Sequence, residues 1–202
     1  MEYIDFVDIN QRCSKCHKKL TSGIAIYSNG FFLGNTCAEQ MGILKAELPN
    51  LTKGIKNEIH DDTYNYLDKK QHSIIKLESK QRCLSYLITR IEKLYDIKNM
   101  KYQKLIDIYE KYKTDNLLLD DYYYLENLIK SVNERNKIVS EKNIYFCYAV
   151  KNALISLIKK NPDNIFYKSI LNYLKQNATI SKPQFNCLIN DSKLNIKYYD
   201  YQ

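Results

Sequence analysis

Residues 13–17 read CSKCH, and GNTC stands at 34–37. No other feature constrains the fold as strongly, because cysteines that share a ligand must be brought to one point. The C-x-x-C-H pentapeptide is the attachment signature of c-type haem and equally half of a thiolate metal site. Haem attachment is completed outside the cytoplasm. The opening MEYIDFVDIN has neither the basic nor the apolar region of an export signal. The intervening KKLTSGIAIYSNGFFLGNTC predicts a β-hairpin instead. Ile24 to Tyr27 forms one arm, Asn29-Gly30 supplies two positive-φ positions for a tight turn, and Phe31 to Leu33 returns. The following AEQMGILKAEL reads as a helix with Asn35 or Thr36 as N-cap and Cys37 in its first turn.

This order of knuckle, hairpin and helix with an N-terminal cysteine resembles the treble-clef type of zinc finger. The resemblance spans residues 12–48 and implies zinc on Cys13, Cys16 and Cys37. A complete clef places another helical ligand three positions after Cys37, where this chain has Gln40. Zinc prefers four tetrahedral ligands and accepts sulfur readily, so the fourth comes from elsewhere, is water or is absent. His60 in NEIHDD is the favoured residue. His17, His72, Cys83, Asp5 and Asp8 are the alternatives. The chain has no H-E-x-x-H and no deaminase pairing of H-x-E with P-C-x-x-C, and a thiolate-rich knuckle is a poor Lewis acid. The expected metal is therefore structural. It would staple a fragment of about forty residues, too small to hold itself together by burial alone.

Pro49 is expected to end the finger's helix, giving a zinc-finger-like module at 1–49 and a helical domain at 50–202. The expected fold class is mainly α: a small zinc-stabilised β-hairpin/helix module followed by an all-helical bundle. Leu84, Leu87, Ile91 and Leu94 mark a helix at about 80–97, and Tyr102, Leu105, Tyr109 and Tyr112 mark a second. Leu125, Leu128, Val132 and Val139 mark a third, opened by Asp120-Asp121. Residues 144–160 are apolar almost all round, as the centre of a bundle should be. Helices at about 165–176 and 182–190 follow, the last opened by Ser181 with Pro183 early in the turn and Gln184 completing a capping box. Cys83, Cys147 and Cys187 fall on apolar faces and read as buried thiols.

Charge separates the two parts. Basic residues outnumber acidic ones 31 to 23, for a net +8. Residues 1–49 are neutral, 50–115 carry +4, 116–140 carry −1 and 141–202 carry +5. Only four of the basic residues are arginine, so polyanion attraction is favoured over bidentate base reading. Lysines beside tyrosines, as at Lys168, Lys175 and Lys182, are ingredients of a DNA or RNA contact surface. The last helix pair also reads as a helix-turn-helix with Lys182 and Gln184 toward a groove. The tail KYYDYQ, with Tyr198, Tyr199 and Tyr201, needs a partner or groove to cover it.

With no phosphate loop, dinucleotide fingerprint or hydrolase elbow, a non-enzymatic protein is expected. The expected function is that of a zinc-binding accessory protein contacting nucleic acid through its helices. The alternative is a protein-interaction module, an inhibitor or adaptor docking on a host machine. In style the chain looks like small accessory proteins of phages and mobile elements. No apolar run approaches membrane-spanning length, and a cytoplasmic location is expected.

Overall fold

The computed structural model describes residues 1–8, 10–52 and 69–192, the side chains of 69–76 excepted. The chain divides into two compact units, Met1–Ser85 and Tyr86–Gln202. Residue 49, where the sequence placed a boundary, lies inside the first.

That unit is built on a three-stranded antiparallel sheet ordered β1 (Glu2–Phe6), β2 (Ile24–Ser28), β3 (Phe31–Leu33). Asn29 and Gly30 form the β2–β3 turn with φ of 45° and 95°. Two positive angles match the twist of the strands, and glycine accepts the second without strain. β1 was not foreseen. It pairs Ile4 with Ile26, and Tyr3 stacks on Tyr27 with ring centroids 4.8 Å apart. On its other edge the Ile4 amide donates to the Pro49 carbonyl at 2.8 Å, and the Leu51 amide donates to the Ile4 carbonyl at 3.0 Å. Residues 49–51 thus extend the sheet rather than leave the module.

Helix α1 (Asn35–Glu39) is shorter than the sequence suggested, and Pro49 does not end it. Gly42, at φ 78°, closes a Schellman-type turn in which Ile43 N donates to Ala38 O at 3.0 Å and Gly42 N to Glu39 O at 3.0 Å. Its N-cap is Gly34 with no side-chain cap, so neither Asn35 nor Thr36 fills that role. The core of the unit gathers Ile4, Leu20, Ile26, Leu33 and Ala38 around Cys13 and Cys37.

Among the described residues the rest is helical: α2 (Lys69–Ile88), α3 (Gln103–Lys113), α4 (Leu119–Arg135), α5 (Glu141–Lys160), α6 (Ile165–Asn177) and α7 (Lys182–Ser192). The helix expected at 80–97 instead begins by residue 69 and gives way to a π-helical turn, Thr89–Lys93, closed by Leu94 N on Thr89 O at 3.0 Å. Arg90 in that turn is buried, its Nε donating to Met100 O and its Nη1 to Tyr86 Oη, both at 2.8 Å. Tyr86 Oη in turn donates to Val139 O at 2.9 Å. Val139 lies in a separate 3-10 turn after α4, because the Asn136 side chain accepts from Ile138 N at 3.2 Å and ends the helix.

Helix α5 is the buried centre that its composition implied, packing against α4, α6, α7 and the π turn. Each large apolar side chain it buries is worth about 1.5–3 kcal/mol. Ser181 and Gln184 form the foreseen capping box, with Ser181 N on Gln184 Oε1 at 2.9 Å and Gln184 N on Ser181 Oγ at 3.4 Å. Cys83 and Cys147 are buried, whereas Cys187 is exposed, contrary to expectation, because Phe185 and Leu188 take the inner face of α7. Among the described residues no helix is long and apolar enough to cross a membrane.

Candidate metal centre

The knuckle is a tight loop closed by its own backbone. Cys13 N donates to Lys18 O and His17 N to Cys13 O, each at 2.9 Å, with His17 in the left-handed region at φ 58°. Ser14 N reaches Phe32 O at 2.8 Å, tying the loop to β3. The knuckle is therefore held beside the end of β3, the point from which α1 departs. Cys13, Cys16 and Cys37 converge, their sulfurs within 4.8 Å of one another. Three thiols so placed can hold a metal ion.

Cys13 and Cys37 are buried and Cys16 is exposed, so the cluster opens to solvent on one side. Burial opposes ionisation of Cys13. The amides of Gly34, Cys16 and Lys15, with the Cys37 thiol, outweigh it and bring Cys13 down to about 6. Hydrogen bonds with Cys16 and Cys13, then burial, push Cys37 up to about 11. Near neutral pH Cys13 therefore carries the negative charge, and Cys37 keeps its proton beside it. The backbone amides were the part of the site that sequence spacing did not identify. The signal was Gly34, whose N lies 3.5 Å from Cys13 Sγ. A Cβ there would lie 3.3 Å from Leu20 Cδ2, so the strand-to-helix corner that aims this amide is tight.

Among the described residues no fourth cysteine, histidine or carboxylate joins the cluster. Gln40 Oε1 accepts from Lys15 Nζ at 3.2 Å. His17 is exposed, Cys83 is buried in α2, and Asp5 Oδ1 accepts from the Phe6 amide at 2.8 Å. Asp8 is exposed on the chain leaving β1. His60 and the side chain of His72 lie outside the described residues, as do Tyr198, Tyr199 and Tyr201.

The residues expected to contact nucleic acid divide into two groups. Lys168 on α6 and Lys182 on α7 are exposed. Lys175 is half-buried with its Nζ 3.1 Å from an Asp96 carboxylate oxygen, and the Gln184 side chain is occupied by the capping box. Comparison with models of known families, with characterised proteins and with solved structures finds no match.

Proposed function

We propose that this is a non-enzymatic accessory protein whose treble-clef-like module is stapled by zinc and whose helical unit binds nucleic acid. The convergence of three sulfurs at the junction of knuckle, hairpin and helix carries the metal part. A regular zinc tetrahedron with bonds of about 2.3 Å needs sulfurs roughly 3.8 Å apart, which is compatible with three sulfurs within 4.8 Å of one another. Cys13 already favours the thiolate, and the surrounding amides are aimed at it, as a charged sulfur ligand requires. Cys13 and Cys37 also belong to the module's core, so a metal there closes the core directly.

The nucleic-acid part rests on the lysine excess of the helical residues and the exposure of Lys168 and Lys182. Lysine neutralises phosphates without reading bases, so the binding would be salt-sensitive and tolerant of sequence. A protein-docking role is the second reading. It is favoured by Leu118 and Tyr123 on the α4 side and Ile165 and Phe166 on α6, all exposed.

Native mass spectrometry of the reduced full-length chain is expected to show one zinc ion, lost in Cys37→Ser. A metal-free chain with three freely reactive finger thiols removes the site. Retention on a single-stranded oligonucleotide is expected to fall linearly in log affinity against log salt. Absence of retention at low salt removes the nucleic-acid reading and leaves docking on a protein.

A further inference from the structure

The connection between the π turn and α3, residues 94–102, is held from beneath at several points. Ile97 and Met100 are buried, and the Met100 carbonyl receives the buried Arg90 guanidinium at 2.8 Å. Lys98 N donates to Lys175 O at the end of α6 at 2.8 Å. Asp96 is gripped by two cations, Lys151 Nζ at 2.6 Å and Lys175 Nζ at 3.1 Å. Loops anchored this way present their outward side chains in a defined arrangement, which lowers the entropy cost of binding.

What they present is basic and aromatic. Lys98, Lys101 and Lys104 are exposed, and so are the rings of Tyr95 and Tyr102, at 59% and 45%. Tyr102 is joined through its hydroxyl to Tyr124 on α4 at 3.3 Å, and Lys104 Nζ lies 5.7 Å from the Tyr124 ring centroid. Between residues 93 and 106 the one carboxylate is Asp96, already neutralised by Lys151 and Lys175. The stretch therefore offers positive charge at Lys98 and Lys101 beside flat apolar faces, with Lys104 next to them in the field of Asp121. Lysine supplies charge without a bidentate fork, and an exposed ring needs an unstacked base to lie on. A duplex offers phosphates but no free base faces.

We infer that the 94–104 segment, with Tyr124, is a sequence-tolerant binding ridge for single-stranded nucleic acid. Phosphates would sit on Lys98, Lys101 and Lys104, and a base would stack on Tyr102. This rests on the nucleic-acid reading above but places the contact away from the terminal helix pair that sequence analysis favoured.

The test measures binding of the full chain to a single-stranded oligothymidylate, with a duplex and polyglutamate as competitors. The variants are Lys98→Glu/Lys101→Glu/Lys104→Glu, Lys168→Glu/Lys182→Glu, Tyr102→Ala and Tyr102→Phe, with helicity checked by circular dichroism. The ridge predicts at least a tenfold loss in the triple variant and a smaller loss in the double one. Tyr102→Ala should weaken single-strand binding severalfold and leave duplex binding unchanged, with Tyr102→Phe retaining affinity. A double variant that loses binding while the triple one keeps it overturns the ridge and leaves the wider reading standing. If the wild-type chain binds no polynucleotide, both fall. If polyglutamate competes as well as the oligonucleotide and Tyr102→Ala has no effect, the ridge docks an acidic polypeptide and the single-strand assignment is wrong.

Discussion

At the scale of single residues, the cysteine cluster is governed by how Cys13 and Cys37 divide their protons. Cys13 ionises at about 6, while Cys37 keeps its proton to about 11. A metal binds thiolates, so each protonated sulfur must release its proton on uptake. Below pH 6 Cys13 is protonated and contributes to that release; above pH 6 it is already charged and does not. Cys37 contributes on both sides. Metal uptake is therefore expected to displace about one more proton per ion at pH near 5 than at pH near 7.5. Calorimetry in buffers of differing ionisation enthalpy reads that count, and an identical count at both values contradicts the assignment. The cysteine spacing made the convergence of the three sulfurs legible, but not the division of their protons. It depends on the amides of Lys15, Cys16 and Gly34, and backbone direction is decided by the turn and the corner that hold it.

At the scale of elements, the π turn is the departure from regular structure with the clearest cause. Leu84, Leu87, Ile91 and Leu94 suggested one uninterrupted helix, since periodicity registers apolar positions and not a buried cation between them. Arg90 joins three segments through Tyr86, Met100 and, by way of the Tyr86 hydroxyl, Val139. Arg90→Met removes two charge-assisted bonds and is expected to cost about 3 kcal/mol or more in urea unfolding. Its neighbour should behave in the opposite way. Thr89 is fully buried and its Oγ1 has no hydrogen-bond partner, so Thr89→Val keeps the shape and removes an unsatisfied hydroxyl. That variant is expected to be neutral or slightly stabilising. Equal losses from the two substitutions would mean that the turn is held by shape and not by the Arg90 bonds.

At the scale of the whole molecule, the two compact units draw on different sources of stability. The first has a small core into which two proposed metal ligands are built, and the second has a long helix buried on nearly every side. Chelation of the proposed zinc is expected to lower the melting temperature read from the near-ultraviolet signal of the stacked Tyr3–Tyr27 pair, with the module still folded at 25 °C, and to leave the melting of the helical circular dichroism nearly unchanged. Equal lowering of both melts would show that the metal stabilises the entire chain. The hairpin, the helical body, the central helix α5 and the capping box at Ser181 were all legible in the residues, because each depends on neighbours a few positions apart. Turn glycines, caps and apolar periodicity are local physics, and they determine local structure wherever the core does not object. Strand β1, the return of residues 49–51 to its edge, the occupation of Lys175 by Asp96 and the anchored ridge at 94–104 belong to the tertiary structure alone. In each case the partner lies far along the chain, and only packing decides which backbone edge is covered and which lysine is left facing water.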